Sequence, residues 1–382
     1  MIDNLFTRRF AGNYFSTLAF MGLAYGILFH LSDFHRGALQ AVWQFGNLGI
    51  DFAIPIRRLF HWIGALYAVV LIPYYARYPW LHSKAFVFLQ GLWFAALRWR
   101  RPRSRARARL ARQHWRLPLK GGFSPAAKQA ALALLLKFFF APLMINWCLD
   151  HAGNMANSVV QLIDGIDAGM RGRALFDTWI FWAAFQLILF VDTFLFTIGY
   201  IVEVPALKNR IRSVDPTFFG WAICLCCYPP FNGFTGQFLV WQSTDFPHFD
   251  TDRFGTNTFH YAANIALLTA LGVYSWASVA LGFKASNLTN RGIVARGPYA
   301  CVRHPAYVAK NFAWWIGALP MFAGELASRN FEALGYSLLA MSGWTAIYAL
   351  RAITEERHLL MADNGYAEYM RRVKWRFIPG LV

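Results

Sequence analysis

Four stretches of this chain, Phe176 to Tyr200, Thr217 to Trp241, Phe259 to Phe283 and Phe331 to Leu350, each run for about 20 residues or slightly more on almost wholly apolar side chains. In lipid, a segment of that length satisfies its backbone N–H and C=O groups internally only as a helix. The rest of the chain agrees: 57% of its 382 residues are apolar, 18% aromatic and 15% charged, which is not the composition of a soluble domain. Further apolar runs cover Phe10 to Leu31, Leu59 to Ala76, Ala130 to Leu149 and Tyr307 to Phe322. Two segments, Gly37 to Ile56 and Ala85 to Leu97, read as spanning, re-entrant or interfacial. The expected fold class is all-α, a multi-pass transmembrane bundle of about eight to ten membrane helices.

Arg8 and Arg9 precede the first run, but that run is too long for a signal peptide and lacks a small-residue cleavage pattern, so it reads as the first membrane helix. The net charge of +18 is a topology signal rather than a nucleic-acid signal. Nine arginines lie between Arg98 and Arg116, in a segment over 98–120 expected to rest on anionic headgroups between spans. Arg8/Arg9, this segment, Lys208 to Arg212, Lys284 to Lys310 and the C-terminal tail all fall on one side, which the positive-inside rule makes cytoplasmic. Asp164, Asp167, Asp245, Asp250 and Asp252 fall on the other. The expected location is a plasma membrane, that of a bacterium, with membrane lipids as partners and no nucleic acid.

Cys148, Cys224, Cys226 and Cys227 lie in or beside apolar runs, where buried thiols are ordinary, and no Cys/His spacing suggests a metal site. No GxGxxG occurs, which disfavours a soluble Rossmann enzyme. Within the spans, Asp192 in LILFVDTFLF is expected to face a cavity or a partner, because ionisable groups at membrane depth are costly. CYPPFNGFTGQ, Cys227 to Gln237, contains a proline pair that interrupts helix and could line a pocket.

Polar chemistry gathers near the C-terminal end. In GPYACVRHPAYVAK, Gly297 to Lys310, His304 precedes Pro305, a residue favoured at the first helical position, and the free N–H groups there with Arg303 suit an anionic ligand group. After an apolar hairpin comes RAITEERHLLMADNGYAEYMRRVKWRFIPG, Arg351 to Gly380, where Arg351 and Glu355 are one helical turn apart, with Glu356 adjacent and Tyr366 and Tyr369 further on. The expected division is an N-terminal helical region over 1–257 and a C-terminal module over 258–382.

These two segments, in this order and spacing, resemble the isoprenylcysteine carboxyl methyltransferase and phospholipid methyltransferase superfamily of integral-membrane enzymes. The resemblance covers Arg296 to the C-terminus, with Ala300 and Cys301 where Arg and Tyr are usual and Ala309 where Gly is usual. It implies S-adenosylmethionine in a cytosol-facing pocket and a lipophilic or lipid-linked acceptor arriving from the bilayer. Tyr299, His304, Pro305 and Tyr307 match the first cofactor segment, and Glu356 and Tyr369 the second. With the neighbouring Arg303, Glu355 and Tyr366 they form the candidate cofactor-binding set, while Arg351 and Glu356 form the candidate catalytic pair. Carboxylate, amine, thiol and hydroxyl acceptors all remain open. Two other classes are weighed: an NADPH-dependent membrane reductase of the sterol-reductase kind, with a similar C-terminal region, and a non-catalytic membrane scaffold.

Overall fold

The computed structural model describes residues 7–40, 42–45, 52–99, 123–239, 257–362 and 365–381. The Arg-rich segment therefore lies, apart from Arg98 and Trp99, outside the described residues, as do Asp245, Asp250 and Asp252. The chain divides into two compact units, Met1–Ala41 with Pro55–Pro142, and Val42–Ile54 with Leu143–Val382.

In the first unit, α1 (Arg8–Leu31) starts where the Thr7 hydroxyl accepts from the Phe10 amide at 3.1 Å, an ordinary N-cap. α2 (Asp33–Gln40), α3 (Ile56–Arg77) and α4 (Lys84–Trp99) follow. Asn13 on α1 donates to the Leu81 carbonyl at 2.9 Å and accepts from the Ser83 amide at 2.7 Å, so a buried polar side chain ties α1 to the start of α4 with its amide satisfied. Residues 37–56 hold the end of α2 and two short strands, β1 (Val42–Phe45) and β2 (Phe52–Pro55), which pair with each other and fall, up to Ile54, in the second unit; no described part of 37–56 forms a spanning helix. α5 (Pro125–Asp167) begins in this unit, and the division falls at its internal Pro142.

The second unit contains α6 (Gly172–Ile201), which includes a π turn over Phe176–Ile180, then α7 (Phe218–Leu225), α8 (Phe231–Phe238), α9 (Asn257–Leu281), α10 (Pro305–Ala327), α11 (Phe331–Met361) and α12 (Tyr366–Arg372). Its core joins four of these helices: Phe181 and Phe185 from α6, Leu267 and Leu271 from α9, Ala313, Trp314 and Ala318 from α10, and Met341, Trp344 and Tyr348 from α11. Ala313 and Ala318 are fully buried, small enough for close helix approach. Helices downstream of Leu143 thus pack in one unit with the residues from 258 onward.

Among the described residues six helices are long and apolar enough to cross a membrane: α1, α3, α5, α6, α9 and α11. Leu23, Leu66, Phe194, Ile265 and Leu339 point outward from them, the arrangement expected when the surrounding solvent is apolar. This is the build of a multi-pass helical membrane protein. Thr217 to Trp241 does not form the single span expected of it: Pro229 and Pro230 break it into α7 and α8, each of eight residues, because proline removes a backbone donor and crowds the preceding turn. α10 has the length of a span, but Lys310, Asn311 and Glu325 make it less apolar than the six. Residues 85–97 lie in α4, an apolar helix shorter than a normal span.

Candidate functional site

Two loops come together beside the end of α11. The backbone of the loop after α6 pairs with the loop after α9 through β3 (Ser213–Val214) and β4 (Thr289–Asn290), antiparallel, with further bonds from the Arg212 amide to the Asn290 carbonyl and from the Asp215 amide to the Leu288 carbonyl, both 2.8 Å. Gly199 makes their approach possible. A Cβ there would stand 2.0 Å from the Ala285 carbonyl oxygen, so no larger residue fits without separating the two segments.

Behind this contact runs a chain of polar groups. The Asn287 amide donates to the Tyr200 hydroxyl at 2.7 Å, the Asn287 side chain donates to the Tyr228 hydroxyl at 2.9 Å, and Arg351 Nη2 donates to Asn287 Oδ1 at 2.9 Å. The Arg351 guanidinium is also enclosed by aromatic faces, its Cζ 4.9 Å from the Tyr307 ring centre, 5.1 Å from Tyr348 and 5.7 Å from Tyr228.

A cavity of about 180 Å³ opens here, walled by the two loops, α9, α10, α11 and α12. Tyr299, Arg303, His304 and Tyr307 line it from the first polar segment, and Arg351, Glu355, Tyr366 and Tyr369 from the second. The two segments therefore meet at one site. Glu355 accepts a hydrogen bond from the Tyr307 hydroxyl, lies 4.0 Å from Arg351 and has its other oxygen 3.8 Å from His304 Nδ1. His304 stacks on Tyr307 with ring centres 5.5 Å apart and planes 11° apart.

Pro305 and Glu356 are not among the lining residues. Pro305 occupies the first position of α10 and leaves His304 at a non-helical corner, as the sequence predicts. Glu356 departs from its expected place in a catalytic pair. Its Oε1 accepts from Arg303 Nε at 2.7 Å and lies 3.2 Å from His304 Nε2, and its Oε2 accepts from Arg376 Nη2 at 2.8 Å and Nε at 3.1 Å. Both oxygens are thus committed to holding the C-terminal tail against α10 and α11. The same tail is fixed by the Arg303 amide on the Trp375 carbonyl at 2.9 Å and the His304 amide on the Arg376 carbonyl at 3.1 Å. Of the two adjacent glutamates, Glu355 faces the cavity.

Tyr366 and Tyr369 of the tail are buried phenols, and Tyr299 of the first polar segment stands beside them. Burial pushes Tyr299 and Tyr366 upward and Tyr369 up to about 12, so all three remain protonated at neutral pH. Tyr369 can accordingly donate, and does, to the Tyr299 carbonyl at 2.7 Å.

Several lining residues were not singled out from sequence: Tyr228, Tyr274, Ser278, Asn287, Lys310 and Tyr348. Lys310 had a legible signal, since a lysine inside an apolar helix is costly and one turn separates it from Tyr307. Asp192 is buried as expected, accepting from Tyr274 Oη at 2.7 Å and from Ser278 Oγ. Of Cys227 to Gln237, Tyr228 reaches the cavity, whereas Gln237 is exposed. No protein-family model, curated protein or solved structure matches the chain.

Proposed function

We propose that this chain is an integral-membrane methyltransferase that uses S-adenosylmethionine to methylate a lipophilic or membrane-embedded acceptor. One observation carries the reading: the two polar segments, 41 residues apart between Lys310 and Arg351 in the sequence, line a single cavity with a carboxylate, a guanidinium and several aromatic faces.

The residues present suit this cofactor. Its zwitterionic end needs both signs of charge, offered by Glu355 and by Arg351, whose Nε is buried without a partner. Its sulfonium needs a carboxylate and aromatic faces, offered by Glu355, Tyr307 and Tyr348. Leu281, Leu288, Ile293 and Leu359 offer an apolar wall for a base. When bound, the cofactor supplies an electrophilic methyl group.

The protein's own contribution is alignment and charge. Arg351, held by Asn287 and its ring cage, is fixed in one orientation, which favours an in-line arrangement of reactants. Glu355, bonded to Tyr307 and near His304, is positioned to receive a proton from an acceptor that must lose one. Glu356 acts at one remove, by keeping His304 and Arg303 in place. In this reading α10 is a seventh span, and the cavity mouth is cytoplasmic because Lys208, Arg212, Lys284 and Arg296 gather there.

That basic group also favours the second reading, a reductase, since it could hold the phosphate of NADPH. Calorimetry in detergent separates the two. Saturable binding of S-adenosylhomocysteine without binding of NADPH is expected; the reverse pattern would replace the methyltransferase reading with the reductase, and binding of neither would remove both.

A further inference from the structure

Lys310 lies one turn beyond Tyr307 on α10 and lines the cavity at the edge of the apolar core. Its ammonium faces three rings, 5.3 Å from the Trp314 centre, 5.7 Å from Tyr274 and 5.8 Å from Tyr348. It makes no hydrogen bond or ion pair with any described residue. Asp192, which accepts from the lining residues Tyr274 and Ser278, attracts it electrostatically. The hydrogen bonds to the two oxygens of Asp192 come from Tyr274 and Ser278, and no described residue accepts from the ammonium.

A second cation shares this space. Arg351 is 3% exposed and donates a single hydrogen bond among the described residues, to Asn287, leaving Nε buried and unpartnered. Two cations that repel each other, each with unused donors, line one cavity. An oxyanion in the cavity would accept from donors that the described residues leave unused. Phe196, Leu281, Leu288, Ile293 and Leu359 line the same cavity, so the anion's substituent meets an apolar wall.

We infer that Lys310, balanced by Asp192, is the anchor for an oxyanion, carboxylate or phosphate, carried by a lipophilic ligand. That this ligand is the methyl acceptor rests on the methyltransferase reading; the oxyanion site itself does not. The anchoring oxyanion and the group that receives the methyl are separate questions, because Lys310 is a positioning residue here and Glu355 is the carboxylate at the proposed transfer site.

The test uses the full chain in nanodiscs of zwitterionic lipid, with radiolabelled dodecanoate and dodecyl phosphate as probes beside dodecanol, acetate and inorganic phosphate. At least one of the two amphiphilic oxyanions is expected to bind saturably and more tightly than dodecanol, acetate or inorganic phosphate. Lys310→Met should weaken it about 10- to 100-fold, the loss of one charge-assisted hydrogen bond, and Lys310→Arg should restore most of it. Dodecanol binding as tightly, or Lys310→Met binding unchanged, would overturn the anchor; acetate or phosphate binding as tightly would overturn the lipophilic ligand. Thermal unfolding of each variant controls for folding, and Lys310→Arg keeps the test open if Lys310→Met is unstable. Oxyanion binding without S-adenosylhomocysteine binding would end the methyltransferase reading and leave the anchor standing.

Discussion

Arg351 and Asn287 are joined by a 2.9 Å hydrogen bond from Nη2 to Oδ1, and Asn287 is itself bonded to Tyr200 and Tyr228. An arginine within α11 is thereby oriented by Asn287 from the loop after α9, itself held by residues from α6 and from the segment after α7, outside the C-terminal motifs.

Asn287→Ala should remove the one acceptor that fixes Arg351 and free the Tyr228 hydroxyl. Loss of two buried hydrogen bonds predicts about 1–3 kcal/mol of destabilisation. On the methyltransferase reading proposed above, a misoriented arginine predicts a fall in methyl transfer of about 100-fold, read chiefly in kcat. Single-turnover assays in detergent check this, and unchanged kcat would show that Arg351 needs no such support.

The adjacent glutamates should separate into different phenotypes. Glu356→Gln leaves Arg303, Arg376 and His304 around a neutral amide and should cost about 3–5 kcal/mol, because breaking a buried ion pair strands its partner charges. Glu355→Gln should leave thermal stability within about 1 kcal/mol, since its pair is part-exposed, yet reduce transfer. Comparing melting curves with activity for both variants decides the assignment.

Gly199→Ala drives a methyl group onto the Ala285 carbonyl. Overpacking against rigid backbone costs about 1–3 kcal/mol or more. Lower yield of monodisperse protein and weaker S-adenosylhomocysteine binding are expected together, because the same contact carries Tyr200 to Asn287.

Asp192→Asn replaces a carboxylate that accepts from Tyr274 and Ser278 with an amide that can accept through one atom only. Destabilisation of about 1–3 kcal/mol is expected. Oxyanion binding should survive, since the charge on Lys310 remains; thermal unfolding and the dodecyl phosphate assay report the two effects separately.

Alkaline pH should loosen the C-terminal tail. Burial raises Tyr369 to about 12 in the folded chain, against an ordinary value near 10, so the folded state keeps a proton that the unfolded chain loses. Its contribution is complete below about pH 10 and is lost as the pH rises toward 12. Hydrogen exchange over residues 366–373 should be unchanged between pH 7 and 9 after correction for intrinsic rate, and faster at pH 11.

Helix type, the apolar exterior and the positions of the two polar segments were legible in the sequence, because each follows from local spacing and hydropathy. Thr217 to Trp241 has the hydropathy of one span, and the interruption at its proline pair was legible beside that average. The choice between Glu355 and Glu356 was not legible. Neighbouring positions on a helix point about 100° apart, and which of them meets a cavity depends on how that helix is rotated against others. Lys310 carries a local signal as a lysine in an apolar helix with Trp314 one turn on, but Tyr274 and Tyr348 come from two other helices and become its neighbours only when those helices pack.

By itself, then, the sequence determined that this protein is built of helices suited to an apolar solvent, and that its polar side chains concentrate in two C-terminal segments. Backbone hydrogen bonding in lipid leaves no other economical structure for such runs. Tertiary structure alone decided that Glu355 faces the shared cavity while Glu356 clamps the tail, and that Lys310 and Arg351 share it. Those outcomes rest on contacts between residues about 50 to 90 positions apart, such as Arg303 with Glu356 and Ser278 with Asp192, which no local pattern encodes.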